Sequence, residues 1–222
     1  MILGVTPARG GSKGVPRKNV RPCFGKPLLV WTIEAAKASK SLDRYLVSTE
    51  DQEIAEVAGR SGAEVLVRPE QLATDETTTL SVLQHVLALV PAETIVLLQA
   101  TSPIRDSDLI DRCIQRFIET GADSLATGFI CKYVEYGRGK GMRRQDVSGF
   151  FYDDGNVYVM KADLVRKGDR YGTRIEQMVT DREQNVEIDD EFDLWLAEQI
   201  LKRRPRQCKG LHCDDGSHVL NQ

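Results

Sequence analysis

Between residues 6 and 19 the chain reads Thr6-Pro7-Ala8-Arg9-Gly10-Gly11-Ser12-Lys13-Gly14-Val15-Pro16-Arg17-Lys18-Asn19. Small residues let backbone N–H groups come close to anionic oxygens, and Arg9, Lys13, Arg17 and Lys18 add cations beside them. So many like charges in so short a stretch repel one another unless an anion is present. The segment therefore reads as a phosphate cradle, with a solvated basic loop as the plainer alternative. It is not a Walker A loop, because no Gly-Lys-Ser/Thr follows a four-residue gap, and it lacks the Gly-x-Gly-x-x-Gly spacing of dinucleotide sites. Farther along, Gln99 offers a neutral amide that can both donate and accept hydrogen bonds. Glu187 and Asp189 are two apart in a segment expected to be extended, which turns both carboxylates to one face. His85 lies in an apolar helical run and reads as a core or edge histidine rather than a base. The spacing of His212, Cys213 and His218 fits no metal site.

The elements that must position these groups follow from periodicity. Residues 2–6, 45–48, 64–67, 94–99 and 124–127 are short apolar, β-branched runs and predict strands. The stretches 28–38, 52–60, 80–89 and 107–120 repeat apolar residues three and four apart and predict helices. The alternation predicts an α/β fold, a Rossmann-like, mostly parallel sheet with helices on both faces, whose glycine-rich loop leaves the carboxyl end of the first strand. Ser48-Thr49-Glu50-Asp51 and Asp106/Ser107 are helix-start signals, and Gly62 and Gly121 are stops. The pattern breaks over 129–149, a glycine- and cation-rich excursion. It resumes with predicted strands at 156–160 and 185–188 and a closing helix at 190–202. Asp190, Glu191 and Asp193 read as acids complementing that helix's dipole. The expected organisation is one domain over 1–204, with a disordered tail over 205–222.

Four motifs in order carry a family resemblance: the glycine-rich segment, Arg68-Pro69-Glu70-Gln71-Leu72-Ala73-Thr74-Asp75, Leu97-Leu98-Gln99-Ala100-Thr101-Ser102-Pro103-Ile104-Arg105, and Val186-Glu187-Ile188-Asp189. Across roughly residues 2 to 200 the sequence resembles the acylneuraminate cytidylyltransferase family, whose fold is of the nucleotidyltransferase, glycosyltransferase-A-like type. The resemblance implies transfer of CMP from CTP to an acidic 2-keto-3-deoxy sugar, with release of pyrophosphate. It places Ala8, Arg9, Gly10, Gly11, Ser12, Lys13, Lys18, Asn19, Arg68, Thr77 and Thr79 around the nucleotide. Arg9, Lys13 and Lys18 would hold the triphosphate, Lys18 nearest the reacting phosphate. Taken alone, Arg68 reads equally well as half of a surface ion pair.

Glu187 and Asp189 would hold Mg²⁺, which accepts one or two protein carboxylates and keeps several waters; the family more often has aspartate at both positions. Gln99, Arg144, Tyr152 and Asp154 would meet the sugar, Arg144 through its carboxylate. Tyr152 and Asp154 stand where relatives often have arginine and asparagine. Thr101 stands where octulosonic-acid enzymes carry a metal-binding aspartate, which favours the acylneuraminate branch. The alternatives are GTP in place of CTP, a deoxy-octulosonic acid acceptor, or a catalytically silent nucleotide- or sugar-binding protein.

Bulk properties bound the partners. Thirty basic against thirty-three acidic side chains give a net charge of −3, so neither nucleic acid nor an anionic membrane is favoured. Five cysteines without a Cys-x-x-Cys pair argue against a disulfide framework and a zinc ribbon, and fit a reducing compartment. With no signal segment or membrane span in view, the expected location is the cytoplasm. The family implies a homodimer, with a reduced interface because the excursion is short.

Overall fold

The structure, a computed structural model, describes residues 1–136 and 143–204; of Arg144 it describes the backbone only. A seven-stranded sheet is formed by β1 (Ile2–Pro7), β4 (Arg44–Thr49), β5 (Glu64–Val67), β6 (Thr94–Leu98), β7 (Ser124–Cys131), β8 (Phe150–Lys161) and β9 (Ile175–Val179). Two two-residue strands, β2 (Pro22–Cys23) and β3 (Lys26–Pro27), make a separate hairpin. The sheet order is β5-β4-β1-β6-β8-β7-β9, with β8 antiparallel to both neighbours and every other pairing parallel. This is the α/β class that the periodicity predicts.

Alternation along the central strands shares the core between two layers. Leu3, Val5, Ile95 and Leu97 face Leu83 and Val86 of α3 (Thr79–Leu89) and Val165 of α5 (Ala162–Arg166). On the other face, Val96, Leu98, Val157 and Val159 meet Ile110, Ile114 and Phe117 of α4 (Leu109–Thr120). There too, α1 (Leu28–Ala38) and α2 (Gln52–Arg60) bury Leu29, Ile33, Ile54 and Ala58 with Val47. The last helix, α6 (Glu191–Arg203), packs Leu194 and Ala197 with Val15 and Ile188. The glycine-rich loop is thereby seated against the acidic segment near the far end of the chain.

The helix signals have mixed outcomes. Asp51 caps α2, accepting from the Ile54 N–H at 3.0 Å. Asp190 and Asp193 form a reciprocal capping box at α6. Gly121 ends α4 in the left-handed conformation, φ 62°. Asp106 and Ser107 do not cap α4: the residue before that helix is Asp108, which makes no side-chain cap, and Asp106 instead accepts from Gln184 at 2.9 Å.

Three element boundaries differ from the sequence reading. Residues 185–188 form no strand. Asn185 closes a short 3-10 turn, and the Ile188 N–H bonds the Thr101 carbonyl, beyond the end of β6, at 2.8 Å; the alternating burial comes from Val186 and Ile188 packing under α6. The excursion also begins later than expected, because β7 runs to Cys131 and pairs with 150–153 of β8 across an irregularity near Gly128. Finally, β9 gives no apolar alternation in the sequence, since it is an edge strand whose Ile175 and Val179 face solvent.

Candidate active site

A cavity of about 430 Å³ opens at the carboxyl ends of β1 and β6. One wall is the glycine-rich loop, through Arg9, Ser12, Lys13, Lys18 and Asn19; the opposite wall is Glu187 and Asp189. Gln99 and Thr101 close the end beyond β6, while Arg68, Thr77 and Thr79 line the side between β5 and α3. Residues far apart in sequence are thus brought around one volume at the strand ends, the ligand edge of a parallel sheet.

Two glycines make the approach of these walls feasible. A Cβ on Gly14 would overlap the carbonyl oxygen of Asp189, so loop and acidic segment touch backbone to backbone. Gly155, at φ 68°, leaves room for Glu187 and Gln99, to which an added Cβ would stand 3.0 and 3.1 Å away. The left-handed backbone there favours glycine as well.

Each of the four loop cations has a partner within the protein. Arg9 donates to Asp75 at 2.8 Å, and Lys13 pairs with the other oxygen of Asp75 at 2.6 Å. These two cations hold the Asp75 carboxyl below the usual carboxylate range. Lys18, whose side chain is largely covered, donates to the Ile188 carbonyl at 2.6 Å and lies 3.4 Å from Asp189. Arg17 turns away from the cavity to Asp51 and Glu53. Arg68 is buried, bonded to Glu50 at 2.8 Å and to the Ser48 carbonyl at 3.1 Å. The same Glu50 accepts the Gly10 N–H at 2.7 Å, so the loop and Arg68 share one anchor. Burial lowers the Arg68 pKa, and the Glu50 charge opposes the shift.

Other predicted site residues stand elsewhere. Ala8 is buried and extends β1 through its N–H to the Ser48 carbonyl. Neither Gly10 nor Gly11 lines the cavity. Tyr152 is an exposed residue of β8 with its ring against Phe129, centroids 5.6 Å apart. Asp154 is buried and its carboxylate is fully engaged by the Thr127 and Thr180 hydroxyls and the Asn156 N–H. Burial nevertheless raises its pKa, although those donors oppose the rise. The Arg144 side chain lies outside the described residues, as do His212, Cys213 and His218 of the tail. Of the cysteines, buried Cys23 and Cys113 have thiols pushed up to about 12 by desolvation, which suits packing rather than reactivity.

Asp75, Glu50 and Arg105 escaped assignment from sequence. Asp75 and Arg105 belong to quoted motifs, but pairing with cations sixty residues away, or burial beneath a strand end, leaves no local signal. Arg105 donates to the Thr32 hydroxyl (2.8 Å) and to the Gln99 (2.7 Å) and Asn156 (3.0 Å) carbonyls. Among the described residues it has no carboxylate partner, and burial lowers its pKa to about 10.

Glu187 and Asp189 fit a hard divalent cation. Both face the cavity, and although Glu187 is open to cavity water, protein crowding followed by the Asp189 charge raises its pKa. A cation would relieve that repulsion, and two carboxylates match the usual protein share of a Mg²⁺ shell. Among the described residues no group of three or more His, Cys, Asp or Glu forms a closed metal cage.

The sheet order and the loop at its ligand edge define the α/β nucleotidyltransferase fold. The cytidylyltransferase family profile matches residues 3–149, and the chain belongs to that family. It is 29% identical to an N-acylneuraminate cytidylyltransferase of Escherichia coli over 93% of this chain and 53% of that protein, and 32% identical to N-acylneuraminate cytidylyltransferase A of Danio rerio over 88% and 50%. The chain therefore spans about half the length of these two relatives. It is also 28% identical to post-translational flagellin modification protein B of Campylobacter coli, over 94% of this chain and 98% of that one. Among solved structures, CMP:2-keto-3-deoxy-manno-octonic acid synthetase complexed with CTP matches with a TM-score of 0.73 at 13% identity, over 90% of this chain and 98% of that one. The last likeness is one of fold.

Proposed function

We propose that this chain transfers CMP from CTP to an acidic 2-keto-3-deoxy sugar of the acylneuraminate or a related nonulosonic type. The observation that carries the reading is the single cavity shared by Arg9, Lys13, Lys18, Gln99, Glu187 and Asp189, in a chain of the cytidylyltransferase family. The anomeric hydroxyl attacks the α-phosphorus in line and gives up its proton to solvent as a new P–O bond forms, and the bond to the β-phosphate oxygen breaks, its electron pair leaving with pyrophosphate. Negative charge grows on the leaving pyrophosphate and on the phosphoryl oxygens, and fixed cations stabilise it. Arg9 and Lys13 exchange Asp75 for the triphosphate, while Lys18 is held by backbone at the depth where the α-phosphate lies. Arg68, Asn19, Thr77 and Thr79 enclose the nucleoside, and Gln99 faces the acceptor. Glu187 and Asp189 hold Mg²⁺, which when bound offsets the charge of the triphosphate. Positioning and charge neutralisation supply most of the rate.

The exposed apolar side chains of Ile130 and Phe150, at the outer ends of β7 and β8, support assembly as a homodimer. No helix among the described residues is long and apolar enough to cross a membrane.

The test is pyrophosphate release from each of the four nucleoside triphosphates, with Mg²⁺ or with chelator, against a panel of acidic sugars. Mg²⁺-dependent release with CTP and a nonulosonic acid is expected. Release with GTP alone would change the nucleotide, and none with any pair would leave a binding protein.

A further inference from the structure

The loop between α5 and β9 carries a guanidinium that the proposed chemistry leaves unused. Arg170 lies over the ring of Tyr158, with its Cζ 5.3 Å from the centroid. It makes no hydrogen bond or ion pair with the described residues, and its Nε is buried without a partner. The loop around it is nevertheless firmly held. Asp169 accepts the Tyr171 N–H at 2.8 Å and the Gly172 N–H at 3.1 Å, and Ser124 donates to the Tyr171 carbonyl at 2.6 Å. A half-buried arginine presented by a pinned loop, yet lacking an anion, is a preorganised receptor for one.

The surroundings specify which anion. Burial above all raises the Tyr158 pKa; the Asp153 and Glu187 charges add to the rise and Arg170 opposes it. Tyr158 stands opposite Leu97 of β6 and packs in the same layer, and Leu97 lines the cavity, so the ring joins Arg170 to the cavity's β6 end, where Glu187 packs beside Gly155 and the Gln99 amide. This end of the cavity is acidic, with Asp189 following Glu187. Mg²⁺ held by that pair would answer the triphosphate, so a carboxylate-bearing sugar approaching Gln99 still gains from a cation of its own. The triphosphate is provided for at the opposite wall, by Arg9, Lys13 and Lys18. A planar guanidinium on an aromatic face suits bidentate capture of a carboxylate.

We infer that Arg170 binds the carboxylate of the acidic acceptor, the role that the family resemblance implies for Arg144, and sets the preference for acids over neutral sugars. The inference rests on the proposed transferase reading and extends it to a residue outside the quoted motifs. Tyr158 supports the guanidinium plane, and Gln99 bonds the sugar's hydroxyls.

The test compares wild type, Arg170→Lys and Arg170→Ala in steady state, varying CTP and sugar separately, with each acid matched to its carboxamide. Loss of a charge-assisted hydrogen-bonded pair should raise the KM for the acid about tenfold to a hundredfold in Arg170→Ala. The KM for CTP and the melting temperature should hold, and the preference for acid over amide should vanish. Arg170→Lys should recover part of it. Equal changes in both KM values, or an unchanged acid preference in Arg170→Ala, would overturn the inference. Equilibrium binding of the same acids and amides, with CTP present, separates the two readings. A wild type that binds acids through Arg170 without turnover keeps this inference and overturns the transferase reading. A wild type that binds acid and amide alike overturns the inference whatever its turnover.

Discussion

The loop wall of the cavity and the core beneath Gln99 hold charge in opposite ways. At the glycine-rich loop, Arg9 and Lys13 are open to solvent and meet a carboxylate, Asp75, that is itself exposed. Such pairs are weakly held and exchange readily for a more highly charged partner. Beneath β6 and β8, Arg105 and Asp154 are buried and meet neutral groups, carbonyls and hydroxyls, that cannot be replaced without opening the core. The first arrangement suits a surface that gives up its internal anion for a ligand. The second suits a fixed floor that determines where Gln99 stands. Exposed charge near a site is thus available for binding, whereas buried charge beside it sets geometry.

That contrast can be broken most forcefully at Arg105. Arg105→Ala leaves the Gln99 and Asn156 carbonyls and the Thr32 hydroxyl without their donor inside the core, so a loss of about 3–5 kcal/mol in unfolding free energy is expected. Chemical denaturation of the two proteins reads it directly, and a change below about 1 kcal/mol would show that the floor does not depend on this guanidinium.

A smaller effect is expected at Asp154. Its folded pKa is raised, so the native state binds more protons than the unfolded state as pH climbs from the ordinary carboxylate value to the folded one, and stability falls across that window. Asp154→Asn removes the titration while keeping an oxygen acceptor for Thr127 and Asn156. The variant should match or exceed wild type at neutral pH, by about 1 kcal/mol or less, with an advantage that shrinks towards pH 4. Melting temperatures at both pH values check the sign; an advantage that grows in acid would contradict it.

The same divide marks what the sequence makes legible. Parallel strands such as β1 and β6 are continuous apolar runs, and helices such as α2 and α4 carry one apolar stripe, so local periodicity reveals them. The loop cations stand out because their spacing is local. From β7 onward the information is non-local. The paired ends of β7 and β8 look like loop, β9 is too exposed to alternate, and 185–188 mimics a strand because packing under α6 produces the same pattern as a pleat. The partners Asp75 for Arg9, Glu50 for Arg68 and Gln99 for Arg105 exist only once the sheet is assembled. Buried polar residues such as Asp154 resemble site residues in sequence, and only the hydroxyls around the carboxylate distinguish the two.

The central claim is that the loop cations stabilise charge developing on CTP in the cavity, with Lys18 nearest the reacting phosphorus. Its most direct test is the steady-state comparison of wild type and Lys18→Ala with CTP and an acidic sugar, with melting temperatures alongside. The account predicts a folded variant whose kcat falls about 10²- to 10³-fold, as for removal of a donor that acts mainly in the transition state, while the KM for CTP changes less than about tenfold. A kcat near the wild-type value, with the loss confined to KM or absent, would contradict it and place the reacting phosphate elsewhere in the cavity.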